Sequence, residues 1–310
     1  MSITAVSRPF VIATALASVA VGVSGYAWQQ SLRLEVLEIY FFALKGGQAI
    51  FIRTPSDRRI LFDGGANSEI VRHLSSVIPF HSRRIDMLIA GNTSEKSVSG
   101  LIDVLERYVI ERIYIPAITL GSLGLASSTE RAYEVFLSEL RRQNVSTQEV
   151  LAGDNIVLDS VAKDFPVTAD ILFPISPDIF DYSKASAPEV VMNISYGSTA
   201  VMIIGNASRK IQNHIASSSV LGTASSTAIV LSHSAILANI SARLMDFVHP
   251  EFVIYSRPVV PSQKNNALLA KKPSPDPLTG IGKEKRFNVR ETGAVKIISD
   301  GKRITVENIR

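Results

Sequence analysis

A chain of 310 residues, 46% of them hydrophobic and 19% charged, can bury a large core, and its charges are too few and too mixed in sign for wholesale disorder. With 32 Lys and Arg against 28 Asp and Glu, the formal charge of +4 only tilts the surface toward anionic partners. Having no cysteine excludes disulfides, thiolate nucleophiles and cysteine-based metal sites, so any metal would need His, Asp or Glu.

After a short segment over residues 1–8, the run from Pro9 to Trp28 carries no charge. Roughly 20 apolar residues span a bilayer, and Tyr26 and Trp28 end the run where aromatic rings favour the headgroup layer. Ala15 and Ala17 have the small-residue spacing of a signal-peptidase site, but they fall inside the apolar run. The expectation is therefore an uncleaved transmembrane anchor over 9–28. Membrane lipid is its partner, and the domain over 34–310 faces out of the cytoplasm.

From Leu34 the pattern turns to short strands and amphipathic helices. Leu34–Phe42, Gln48–Arg53 and Arg59–Phe62 read as strands, and Asp63-Gly64-Gly65 as a turn. Ile70, Leu74 and Ile78 recur at helical spacing after the capping candidates Asn67-Ser68, and Pro79 ends that helix. Ile85–Ala90 reads as a buried strand, Gly91–Ser97 as a polar loop and Val98–Tyr108 as a helix. Arg112–Ile115 is a further strand. Ser128 caps a helix that presents Tyr133, Phe136, Leu137 and Leu140 to a core and ends in Arg141-Arg142.

In the second half, Ile171–Ile175, Val190–Tyr196 and Thr199–Ile204 read as strands, the last two joined as a hairpin at Tyr196-Gly197-Ser198. Asn206 is the expected cap of a helix carrying Ile211 and Ile215. Strand Ala228–Leu231, helix Ser234–Phe247 and strand Phe252–Tyr255 follow. Residues 261–285, rich in Pro, Lys, Asn and Ser, predict a flexible basic loop. Val295–Ile298 and Arg303–Val306 predict a closing hairpin around Asp300-Gly301. Strands with interposed helices, twice over, fit a four-layer α/β/β/α sandwich and fit a doubly wound single sheet almost as well.

Several segments in order resemble the C-terminal metallo-β-lactamase domain of the ComEC family of DNA-uptake competence proteins. The family's opening strand, Asp-Val-Gly-Gln-Gly-Asp-Ala segment and following strand share their frame with Phe41 to Pro55, with both aspartates gone, and its Ile-Asp-Gly-Gly turn is matched by Phe62-Asp63-Gly64-Gly65. Its metal-binding block is matched from Asp86 to Leu101, and its closing hairpin from Arg290 to Lys302. The resemblance implies a metallo-β-lactamase-like sandwich in which Asp63 braces the site from outside the metal shell. It places the family's ligands on Asn92, Ser94, Lys96 and Ser97, its bridging carboxylate on Asn206, and one surviving imidazole on His233.

Metal sites are built from imidazole, thiolate and carboxylate, which donate strongly and offset the ion's charge. Asn and Ser do neither well, and a lysine about 4 Å from a dication would be repelled by on the order of 8 kcal/mol at an effective dielectric near 20. The expectation is no cofactor and no bound metal, with Lys96 standing where the ion stood and pairing with Asp63 or Glu95. Arg83, Arg84, Lys271, Lys272, Lys283, Lys285 and Arg286 are the candidate polyanion contacts, for weak and non-specific DNA binding. The leading reading is a membrane-anchored, non-catalytic binding or scaffolding module related to DNA uptake, whose partner is DNA or a membrane-complex protein. The alternative is a hydrolase or nuclease acting on phosphodiesters through a site rebuilt around Asp63, Glu95 and His233.

Overall fold

The structure, a computed structural model, describes residues 36–117, 127–160, 165–176, 180, 189–218, 227–231, 240–256 and 278–309. The expected anchor over 9–28 lies outside these residues, as do His233, Lys271 and Lys272. Among the described residues no helix is long and apolar enough to cross a membrane.

The first half forms one sheet. Strands β1 (Leu37–Phe42), β2 (Ala49–Arg53) and β3 (Arg59–Phe62) make an antiparallel meander, and β4 (Arg84–Ile89), β5 (Val109–Pro116) and β6 (Ser146–Val150) extend it in parallel from β3. Parallel pairing needs crossovers, supplied by helices α1 (Glu69–Val77), α2 (Glu95–Arg107) and α3 (Ser127–Gln143). Strands β14 (Ala294–Ser299) and β15 (Ile304–Ile309) close the other side, giving the order β15-β14-β1-β2-β3-β4-β5-β6. The second sheet runs β13 (Arg286–Asn288), β12 (Phe252–Tyr255), β11 (Ala228–Leu231), β10 (Thr199–Gly205), β9 (Val191–Tyr196), β8 (Val167–Phe173), β7 (Asn155–Asp159). Short helices α4 (Arg209–Ile215), α5 (Ala242–Val248) and α6 (Val289–Thr292) complete the chain.

Alternation along the strands decides between the two architectures. In β2, Ile50 and Ile52 join a core between the sheets, whereas Ala49 and Phe51 join a second core under α1 to α3. In β10, Val201 and Ile203 face the first sheet, whereas Met202 and Ile204 pack with Ile211 of α4 and Leu244 of α5. Each sheet therefore has helices on one face only and the other sheet on its second face. That is the α/β/β/α sandwich and excludes the doubly wound single sheet.

Several expectations need correction. Strand β6 was missed because its first four residues, Ser146 to Glu149, are polar and exposed, and besides backbone pairing to β5 only Val150, buried in the core between the sheets, anchors it. Strands β7 and β13 were missed as well. The end of the expected loop is not free: Leu278 is 1% exposed in the core, and a single 3-10 turn at Lys283–Lys285 leads into β13. Helix α2 begins at Glu95, not Val98, so Glu95, Lys96 and Ser97 form its first turn. The cap of α4 is Ser208, whose hydroxyl accepts from the Ile211 amide at 3.5 Å, and not Asn206. Helix α5 starts at Ala242 under a Ser241 cap, and residues 232–239, expected as its first part, lie outside the described residues.

Candidate functional site

The C-terminal ends of β3 and β4 and the turn after β10 meet at one edge of the sandwich. Asp63 leaves β3 in the left-handed region, φ 60°, with its amide donating to the Ile89 carbonyl at 3.0 Å. Its side chain, 0% exposed, accepts from the Gly91 amide at 2.7 Å, from Ser97 Oγ at 3.2 Å and from Gln48 Nε2 at 3.4 Å. One carboxyl thus ties the end of β3 to the residue after β4 and to the first turn of α2.

Gly64 and Gly65 let α2 sit directly on this turn. The Gly64 amide donates to the Ser97 carbonyl at 2.8 Å and the Gly100 amide to the Gly65 carbonyl at 2.9 Å. A Cβ on Gly64 would stand 2.5 Å from the Leu101 nitrogen, and one on Gly100 would collide with the Gly64 carbonyl. Neither position has room for a side chain.

Asn92, just past β4, reaches the other sheet through a residue that the sequence reading did not single out. Its Nδ2 donates to Glu189 Oε2 at 2.9 Å, and its Oδ1 accepts from the Ser94 amide at 2.8 Å. Asn92 and Glu189 form an isolated antiparallel bridge, and the Val190 amide donates to the Gly91 carbonyl at 2.5 Å. The second Glu189 oxygen accepts from the Asn206 amide at 2.8 Å, and the carboxylate lies so close to Gly205 (φ +59°) that no Cβ would fit there. Glu189, 2% exposed, is thus a latch between the ends of β4 and β10.

A carboxyl taken out of water is costly to ionise. Burial pushes the Asp63 carboxyl up to about 7, against hydrogen bonds from Gly91, Gln48 and Ser97 that favour the charged form. Burial also raises Glu189 well above the carboxylate range, and the charge of Asp63 adds to that rise. Near neutral pH the site holds its protons far more tightly than two solvated acids would.

The structure brings Asn92, Ser97, Asp63 and the Asn206 backbone together. Ser94 is half-buried with Oγ 3.5 Å from Ser97 Oγ, and the Asn206 side chain is on an exposed residue. The expected pairing of Lys96 is overturned: Lys96 and Glu95 are exposed, with no ion pair among the described residues between Lys96 and Asp63 or Glu95. The first turn of α2 carries both outward, while Ser97 on its inner side reaches Asp63. Asp63 and Glu95 therefore do not form a shared site. A physical signal for Glu189 was present in the sequence: a lone carboxylate directly before the apolar run Val190-Val191-Met192 must enter the interior and find donors there.

Among the described residues the donor set does not fit a metal. Asn92 is engaged at both ends of its amide, Ser97 donates to Asp63, and Glu189 is occupied by two donors. Among the described residues no group of three or more His, Asp or Glu side chains could hold an ion. The candidate polyanion residues lie elsewhere and are partly engaged. Arg84 pairs with Asp86 at 2.9 Å and Glu111 at 2.7 Å, Lys285 with Glu251 at 3.0 Å, and Arg286 donates to the Leu278 and Ile281 carbonyls. Arg83 and Lys283 are exposed.

No family model matches the chain, and no curated protein does. Among solved structures, the chain is similar to the CmlA β-hydroxylase, with 16% identity and a TM-score of 0.43 over 71% of this chain and 45% of that one, so it spans less than half of that protein. It is similar to the Rm3 metallo-β-lactamase, with 11% identity and a TM-score of 0.40 over 62% of this chain and 74% of that one. It is also similar to a metal-dependent hydrolase of the β-lactamase superfamily, with 11% identity and a TM-score of 0.44 over 71% and 87%.

Proposed function

We propose that this chain is a non-catalytic protein of the metallo-β-lactamase fold, held at a membrane by residues 9–28 and serving there as a binding or scaffolding module of a DNA-uptake apparatus. The observation that carries the non-catalytic reading is the closure at Glu189. Of the positions where the competence family keeps metal ligands, Asn92 and Ser97 bear an amide and a hydroxyl bonded to the buried carboxyls of Glu189 and Asp63, and Asn206 gives its backbone N–H to Glu189. With Asp63 at 0% and Glu189 at 2% exposure, neither carboxyl touches solvent enough to exchange a proton with a substrate, which speaks against a phosphodiester hydrolase built on these two groups. The resemblance in the metal-binding block and closing hairpin supports the link to DNA uptake.

Phosphodiesterase assays on the full-length protein test this reading. Activity on a chromogenic phosphodiester, with zinc or manganese supplied, should be indistinguishable from buffer. Turnover that saturates with substrate and disappears on Asp63→Asn would overturn it.

A further inference from the structure

The two sheets run in register, and this gathers features that are scattered in sequence. In the first sheet β1, β3, β4, β5, β6 and β15 share one direction; in the second, β8, β10, β11, β12 and β13 do. Thr199 at the start of β10 lies 2.6 Å, hydroxyl to hydroxyl, from Ser299, which itself faces Leu37 at the start of β1. The N-terminal ends of both sets therefore share one edge, opposite the Glu189 closure.

That edge carries exposed apolar side chains beside cations. Phe80, 90% exposed, precedes β4 by a few residues and is followed by Arg83, and Val109, 69% exposed, starts β5 with its amide on the Arg83 carbonyl at 2.8 Å. Phe165, 41% exposed, stands beside Gly301 and the exposed Lys302 in the β14–β15 turn. Phe247, 40% exposed, ends α5 at the start of β12, and Lys283 precedes the neighbouring start of β13. Some acidic residues nearby are held in ion pairs, Asp86 and Glu111 by Arg84, Asp103 and Glu106 by Arg107, and Glu251 by Lys285, whereas Asp246, Glu284 and Asp300 are exposed on the same edge, Asp300 accepting from the Lys302 and Arg303 amides.

We propose that this edge docks on the surface of an anionic lipid bilayer. Cations alone would suit any polyanion, but a phosphate backbone offers no apolar phase for protruding phenylalanines, whereas a bilayer interface accepts aromatic rings and cations together. Connectivity agrees. The chain enters the fold at Val36, at the start of β1 on this same edge, and the seven residues between Trp28 and Val36 reach at most about 25 Å when extended. The partner assigned here rests in part on the membrane tether of the proposed function, not on its non-catalytic reading.

The test uses the full-length protein with vesicles of phosphatidylcholine, with or without phosphatidylglycerol, containing brominated lipid. Trp28, the single tryptophan, is first replaced by Phe. Phe80→Trp should then be quenched in the phosphatidylglycerol vesicles. Leu151→Trp, at the end of β6 on the opposite edge and 36% exposed, should not. Adding Arg83→Ala, Lys283→Ala and Lys302→Ala should lower the quenching by about half or more, since each cation shifts lipid partitioning on the order of fivefold. Flotation with neutral vesicles reads the tether separately. Absent quenching at position 80, equal quenching at 80 and 151, equal quenching without phosphatidylglycerol, or loss of lipid quenching to competing duplex DNA would each overturn the proposal.

Discussion

The two edges of this sandwich are built on opposite principles. At the C-terminal strand ends, polar side chains turn inward and satisfy one another: Asn92, Ser97, Asp63 and Glu189 form a closed network with almost no exposed surface. At the N-terminal ends, Phe80, Val109, Phe165 and Phe247 turn outward, with Arg83, Lys283 and Lys302 at the same strand ends. Burial makes the first edge costly to disturb and leaves little chemistry available to a ligand. Exposure makes the second cheap to mutate for stability and sensitive for binding.

The largest expected effect at the closed edge is on pH dependence. A carboxyl whose pKa is raised on folding binds its proton more tightly in the native state, so its stabilising contribution is complete below the unfolded pKa and is lost as pH rises through the folded value. For Asp63 that window runs from 3.8 to about 7 and corresponds to about 4 kcal/mol. Urea unfolding should therefore show the protein losing stability between pH 4 and pH 8. Asp63→Asn, or Glu189→Gln, should flatten that fall and stabilise the protein at pH 8. A stability that instead rises steadily through this range would contradict the account of two strained acids.

Removing the latch itself should have the next largest effect. Glu189→Ala leaves the Asn92 amide and the Asn206 N–H without their acceptor. The loss should be on the order of 3 kcal/mol, read by the shift of the urea midpoint. Gly100→Ala presses a methyl group against the Gly64 carbonyl and should cost about 2 kcal/mol, with tolerance of alanine there showing that α2 does not sit as tightly on the Asp63 turn as described.

The open edge should respond in the opposite sense. Phe80→Ser removes a ring that is 90% exposed, so the unfolding midpoint should move by no more than about 0.5 kcal/mol equivalent. A loss of several kcal/mol would mean that Phe80 belongs to the packed cleft between α1 and α2 and not to a contact surface.

The sequence made the scaffold readable wherever burial imposed a period. Alternation in β1, β2 and β10 and four-residue spacing in α1 follow from which face meets a core, and the turn at Asp63 follows from its two glycines. Elements held mostly by backbone pairing, such as β6 with Val150 as its one buried side chain, carry no such period and were not legible. The candidate site was half legible. Matching the family block located Asn92, Ser97 and Asp63, but it directed attention to Lys96 and Glu95, which the helix start turns to solvent. Glu189 lies outside every matched motif; its place before an apolar run marked it as buried, but its partner Asn92, nearly a hundred residues away on the other sheet, is a relation that no local pattern encodes.

Crystals of the protein soaked in zinc, with data collected at the zinc edge, test the central claim most directly. The closure predicts that Glu189 stays within hydrogen-bond distance of Asn92 Nδ2 and the Asn206 amide, with no anomalous peak between Asp63, Asn92 and Glu189. An anomalous peak about 2.0–2.2 Å from a Glu189 or Asp63 oxygen, with the Asn92 and Asn206 contacts broken, would show a metal centre in place of a closed one and contradict the account.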